Sequence, residues 1–491
     1  MSEKDMSISI IPVLIVLTPL LGTIGVMLID HYRVKIRNII VIASTLIPFL
    51  LVALIYSNVA SGAIYYLNLN ILPPLGMEFK VNLLSIYITL LFTFFSLIIA
   101  VYTIGYYRNK EEGKKFFYFL LPAISGCLGV ALSGNMFTFF LFFEFMSLMF
   151  VPLVSYESTP EAHAAGLKFF FMTIIAGASL FWAIAITYYF RGDLSFGTEV
   201  YINVASPLLL VAFICYLISF GIKAAMIPLH IWMSDAYAAA PTPAATLSSA
   251  LMLKTGVLGI IRVFHDIYGL PFLQDTGWHN IVLVLAVITI IYGSTCAIAQ
   301  DNINRRLAYS GVAQVGYILM GIALLTEQAF VGSLYHVMAH AFMKGCMFLC
   351  AGVIYVNTGK QKISELHGIG IQMPVTMLAF TIAAVTAVGI PPFNIFISKW
   401  HIGLGALEVG LPALILVLLL SSMLNAAYYL PITINAFMGC REQKNIERKK
   451  IRFQPLRMVP VIILALGAVI FTMAPTNWPL NIARIIARIY F

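Results

Sequence analysis

The sequence predicts an all-α, polytopic membrane protein with about fourteen transmembrane helices. Composition is the first reason. Of 491 residues, 61% are hydrophobic and only 10% are charged, whereas an average soluble domain is about 25% charged. No soluble fold could cover that much apolar surface. The second reason is block length: the apolar runs extend for roughly 18 to 25 residues, the span a helix needs to cross a ~30 Å hydrocarbon core. A membrane barrel would need strands of roughly 9–11 residues with alternating polarity. No such strands are read here. The third reason is the distribution of charge between the blocks.

Taken in order, the blocks centre at about 18, 46, 94, 124, 145, 176, 214, 252, 290, 315, 342, 388, 423 and 466, and the seventh and twelfth are interrupted. The first, from about Ser7 to Ile29, follows the acidic "MSEKD" rather than a basic leader and reads as a retained span. Odd-numbered connections such as "HYRVKIRN", "RNKEEGKK" and "REQKNIERKKIRFQPLR" together hold 19 Lys and Arg, and the even-numbered ones hold only Lys80 and Arg191. Basic loops stay in the cytoplasm, so the odd loops are expected there, with both termini on the extracytoplasmic side of the cell membrane. The closing "NIARIIARIYF" reads as a basic amphipathic tail lying at the interface or against a neighbour.

The net charge of +9 follows this membrane pattern and gives no reason to expect nucleic acid. Six cysteines at 127, 215, 296, 346, 350 and 440 contain no CxxC pair. They read as small packing residues rather than zinc or iron–sulfur ligands. No glycine-rich nucleotide fingerprint follows a strand. The chain is therefore expected to bring no metal and no redox cofactor of its own.

The ionisable groups left inside the blocks carry the functional reading. They are Glu144, Lys223, Lys254, His336, His340, Lys344 and Lys399, with Arg262 nearer a helix end. Each charge at mid-bilayer costs ~2.5–3.5 kcal/mol on insertion scales. A set spread over several spans must face partners or water, and the usual reason is a path for protons or ions. In "FGIKAAMIPLHIWMSDAYAAAPTP", Lys223 precedes Pro228 by one helical turn or so. The proline breaks the helix, and freed carbonyls are tolerated only where they are buried or line a cavity. "AVTAVGIPPFNIFISKW" repeats the device, with Pro391 and Pro392 before Lys399. Two interrupted segments at corresponding places point to duplicated halves with inverted topology. In "HVMAHAFMKG", His336, His340 and Lys344 stack on one helical face. A proton relay, structural hydrogen bonding and zinc binding all fit two histidines at that spacing. The lysine in the row, and the lack of a glutamate after the first histidine, favour the relay.

These stretches, together with "FFEFMSL", "LMLKTGVLGIIR" and "DNINRRLAYSGVAQVGY", resemble the antiporter-like subunit family. That family comprises the D subunit of Mrp-type sodium/proton antiporters, the three large antiporter-like subunits of respiratory complex I, and the H subunits of membrane-bound hydrogenases and sulfane reductases. The likeness runs in order from about residue 80 to about residue 405. It implies two inverted five-helix repeats, at 111–268 and 279–436, each with one broken helix. Helices 1–3 would precede them at 1–110, and a basic loop, last helix and tail would follow at 437–491. It further implies that Glu144 pairs with Lys223, and that Lys254, His336, His340 and Lys344 form a connecting axis. Lys399 would serve the second half-channel, with His230 and Asp235 beyond the first break. Tyr237 stands where many relatives have histidine, so that role does not transfer. The function implied is proton translocation within a multisubunit membrane complex, coupled to redox chemistry or cation exchange. The expected partners are lipid and other membrane subunits: Mrp-like small subunits, a second antiporter-like subunit, and the membrane anchor of a peripheral redox arm. The alternative is a stand-alone secondary transporter for a small solute.

Overall fold

The computed structural model describes residues 6–30, 32–72, 75–107, 110–197, 202, 205–438, 453–473 and 479–491. Most of the basic loop expected after residue 437 lies outside them. In chain order, β1 (Met6–Ile8) leads to α1 (Ile11–Leu28) and α2 (Val34–Ala60). Then come β2 (Ile64–Leu72), β3 (Leu75–Val81), α3 (Leu83–Tyr106), α4 (Lys110–Leu132), α5 (Met136–Val154), α6 (Pro160–Arg191) and α7 (Pro207–Ala224). After a break come α8 (Met233–Ala239), α9 (Thr242–Leu247) and α10 (Leu253–Arg262), with a wide π turn at 248–252 after α9 and another at 263–268 after α10. The chain ends with α11 (Leu270–Thr276), α12 (His279–Ile298), α13 (Ile303–Ala323), α14 (Glu327–Thr358), α15 (Ile369–Gln372), α16 (Pro374–Val388), α17 (Asn394–Glu408), α18 (Ala413–Met438), α19 (Pro455–Met473) and α20 (Leu480–Tyr490). Among the described residues, twelve helices are long and apolar enough to cross a membrane, and α16 is a shorter apolar helix. This is a multi-pass helical membrane protein.

Local chemistry sets the helix ends. Asn135 caps α5 by accepting from Thr138 N at 2.7 Å. Thr159 caps α6 with Pro160 behind it, and Gly192 at φ 71° stops it, the asymmetry expected of proline at starts and glycine just past ends. Thr326 and Gly359, at φ 73°, bound α14 in the same way.

The sheet corrects the sequence reading, which contained no strands. β1 pairs parallel with β2, and β2 pairs antiparallel with β3. The alternation of Leu67 and Leu69 with Asn68 and Asn70 was its visible signal. It falls between two spans, outside the lipid, so hydropathy registers it only as a loop.

Two compact units form, 1–100, 107–224 and 251–278 in the first and 101–106, 225–250 and 279–491 in the second. In the first, outward side chains such as Leu21 and Leu54 on α1 and α2, and Phe171 and Trp182 on α6, are apolar and exposed. In the second, Leu419 and Met423 on α18 are likewise exposed, as a lipid-facing surface requires. The tail α20 lies on α14 of the same unit, with Tyr490 and Phe491 against Phe330 and Arg488 3.7 Å from Glu327.

The central helix of the second unit is α14, which is buried along its apolar length. Gly332 lets α17 close on it: a Cβ there would lie 2.8 Å from Ser398 O and 2.9 Å from Ile402 N. Those are backbone atoms and cannot rotate away. Gly332→Val is therefore expected to cost ~1–3 kcal/mol by overpacking, read as a lower unfolding temperature of the detergent-solubilised protein.

Candidate functional site

In the first unit, α7 ends at Ala224, with Lys223 in its last turn and fully buried. The Lys223 ammonium donates to Thr173 Oγ1 on α6 at 3.0 Å and lies 4.8 Å over the Phe169 ring. Glu144, on α5, rests its carboxyl group against α6 one turn further on. A Cβ on Gly177 would sit 2.7 Å from the Glu144 Cδ, so the acid fills space that the glycine leaves. Thr173 and Gly177 thus share one face of α6, which brings the amine and the acid to adjacent turns. The hydrogen bond of Lys223 goes to the threonine, and Glu144 Oε1 is buried without a hydrogen-bond partner. Lys254 is buried on α10. α10 approaches α7 closely because Gly256 faces Phe220 O and Ala224 N, where a Cβ would come within 2.6 and 2.7 Å.

Arg262, 2% exposed, belongs to a second group in this unit. It donates to Asp266 Oδ2 at 2.9 Å and to Ser85 Oγ at 3.1 Å. Lys80 on β3 donates to Phe196 O at 2.9 Å. Burial pushes its ammonium below the usual lysine range and Arg262 adds to this, while Asp266, Glu78 and Asp193 pull it back up.

Past the first break, Ala225 has φ 55° and the Ile227 N–H is satisfied by Thr289 Oγ1 at 3.1 Å. Pro228 supplies no donor, as expected at the end of a helix. In the second unit His230 packs 5.3 Å from the Tyr292 ring. Asp235 pairs with Arg305 at 3.3 Å, and both are partly exposed. Tyr237 is buried and accepts from Ser248 Oγ at 3.0 Å.

The second unit also holds the histidine face. His336, His340 and Lys344 are all buried on α14. His336 Nδ1 is 2.8 Å from Ser398 Oγ and its Nε2 is 3.0 Å from Gln314 Oε1. The His340 ring is 6.3 Å from that of His336. Lys344 Nζ donates to Leu307 O, Ser310 Oγ and Tyr429 OH, each at 2.8 Å. Around the second break, α16 stops at Val388, Gly389 turns at φ 81°, and α17 resumes at Asn394 beyond Pro391 and Pro392. The freed Val388 carbonyl accepts from Lys399 Nζ at 3.2 Å, and Ser422 Oγ accepts at 2.7 Å. Lys399 also lies 4.6 Å over the Tyr317 ring.

Sequence reasoning missed the groups that solvate these amines: Thr173, Ser310, Ser422, Tyr429, and Asn425 with Tyr428 and Tyr317. The run "LNAAYYL" in α18 was the available signal, three polar side chains in an otherwise apolar block.

Helices broken beside buried amines define a class, the polytopic carriers whose discontinuous helices present freed backbone groups to an ion path. Residues 133–425 match the family described as NADH:quinone oxidoreductase/Mrp antiporter, TM, and the chain belongs to that family. It is 32% identical to the NADH-quinone oxidoreductase subunit N of Desulforudis audaxviator, over 94% of this chain and 95% of that one. Its fold is that of a chain in the Mrp complex from Dietzia sp. (TM-score 0.87, 20% identity, 98% of this chain and 97% of that one). It is equally that of a chain in the archaeal membrane-bound sulfane sulfur reductase (TM-score 0.85, 23% identity, 98% and 97%).

Proposed function

We propose that this chain is the proton-translocating, antiporter-like subunit of a multisubunit membrane complex, coupled to redox chemistry or cation exchange in its partners. The observation that carries the reading is the second break, where a helix stops mid-block and its freed carbonyl holds the buried amine of Lys399. Membership of the family supports it. In this reading Glu144 and Lys223 form the first loading site, and Lys254, His336, His340 and Lys344 hand the proton on. Lys399 releases it beside the second break. Pro228, His230 and Asp235 border one half-channel, and Pro391 and Pro392 the other. The repeats run over 111–268 and 279–436. Both termini face the extracytoplasmic side of the cell membrane, the basic loops lie in the cytoplasm, and any redox cofactor sits in partner subunits.

Purification from native membranes in mild detergent tests this, with copurifying chains identified by mass spectrometry. The expected result is a set of further hydrophobic subunits, and a proton gradient when the reconstituted complex is given its substrates. A chain that purifies alone and exchanges a small solute would instead identify a stand-alone transporter.

A further inference from the structure

The amines Lys344 and Lys399 in the second unit are joined by a chain of side chains that avoids the histidines. Ser310 Oγ, which accepts from Lys344, is 3.1 Å from Tyr428 OH. Tyr428 OH donates to Asn425 Oδ1. Asn425 Nδ2 donates to Ala387 O at 3.0 Å and reaches Tyr317 OH at 3.4 Å. Tyr317 in turn meets Ser421 through its hydroxyl and Lys399 over its ring. All five linking side chains are buried.

Hydrogen-bond bookkeeping fixes how the amide points. A backbone carbonyl only accepts, so the Asn425 group facing Ala387 O must be the NH2, and Oδ1 must face Tyr428. Oδ1 also only accepts, so Tyr428 is the donor between them. Tyr428 OH is equally placed to donate to Ser310 Oγ at 3.1 Å, so its one proton serves one partner at a time. Ser310 Oγ lies 2.6 Å from Tyr429 OH, where either can donate, and accepts from Lys344. Tyr429 accepts from Lys344 as well.

We propose that Asn425 is a proton stop between Lys344 and Lys399, built into the translocation path and resting on the proposed function of that path. A hydroxyl relays by taking a proton and releasing its own from the same oxygen. A carboxamide must take the proton on Oδ1 and release another from Nδ2, through an O-protonated cation and an imidic acid, so transfer through it is strongly opposed. The stop is anchored to Ala387, and the next carbonyl, that of Val388, holds Lys399. Both lie at the end of α16 where the helix breaks. A change in what Lys399 donates thus acts on Val388, the neighbour of the residue that anchors the amide, which gives the break a means of opening the stop.

The test uses the whole complex in proteoliposomes, with a potassium diffusion potential imposed and no substrates present, and a trapped pH dye to report passive proton entry. Asn425→Asp replaces the amide with a carboxyl group, which accepts on one oxygen and releases from the other. Leak is expected to rise at least roughly tenfold over wild type, a barrier lowered by about 1.4 kcal/mol. Adding Tyr428→Phe to that variant removes the hydroxyl that feeds it and should return the leak to the wild-type level. An intact Asn425→Asp complex as tight as wild type overturns the stop, as does a leak that survives Tyr428→Phe. The proposed function fails separately, if wild-type complex forms no proton gradient with its substrates.

Discussion

Lys399→Ala is expected to leave the complex assembled and to end proton translocation. The structural loss is small. Ser422 Oγ keeps its bond to Leu418 O at 2.9 Å, so only the Val388 carbonyl loses a partner, at ~1–3 kcal/mol. Under the proposed function the loss is large, because Lys399 is there the group that takes up and gives off the proton beside the second break. Removing a positioned proton-transfer group costs roughly 10²–10⁴-fold in rate, and a loss in that range is expected in the initial rate of dye quenching by proteoliposomes. Lys399→Arg separates charge from proton exchange. It preserves a cation over Tyr317, but a guanidinium does not deprotonate in proteins, so this variant should fail almost as completely. Pumping by Lys399→Arg at the wild-type rate would reduce Lys399 to a fixed charge.

The largest loss of stability is expected from Arg262→Ala. Arg262 and Asp266 are 2% and 3% exposed and 2.9 Å apart. Removing one partner of a buried pair strands the other, at roughly 3–5 kcal/mol. The double variant Arg262→Ala, Asp266→Ala should recover much of that, because it removes the buried pair together, although Ser85 still loses its donor. Thermal unfolding of the detergent-solubilised protein gives both values. A single variant as stable as wild type would mean that water or the Lys80 ammonium takes the place of Arg262 at Asp266.

The parts legible in the sequence were those in which lipid makes the alternative expensive. A helix is needed wherever an apolar run spans the bilayer, and a lysine within it is conspicuous because it costs so much unless it has a purpose. Both breaks were marked by prolines for the same reason. The groups that solvate the lysines were not legible, because serines and threonines are ordinary in membrane helices. Thr89, Thr93 and Ser96 on α3 simply bond the carbonyl one turn back. Nothing in their type distinguishes them from Thr173, which holds Lys223, or Ser310, which holds Lys344. That difference arises only when helices meet. Asp235 shows the reverse: its type drew attention, while its partner is a partly exposed arginine at 3.3 Å, an ion pair of the kind worth little to stability.

The central claim is that the buried amine and acid of the first unit carry the translocated proton. It is tested most directly by proton pumping in proteoliposomes containing complex with both Glu144→Ala and Lys223→Ala, compared with wild type at equal incorporation. The account predicts an assembled complex that generates no proton gradient with its substrates. A gradient formed at the wild-type rate would contradict it.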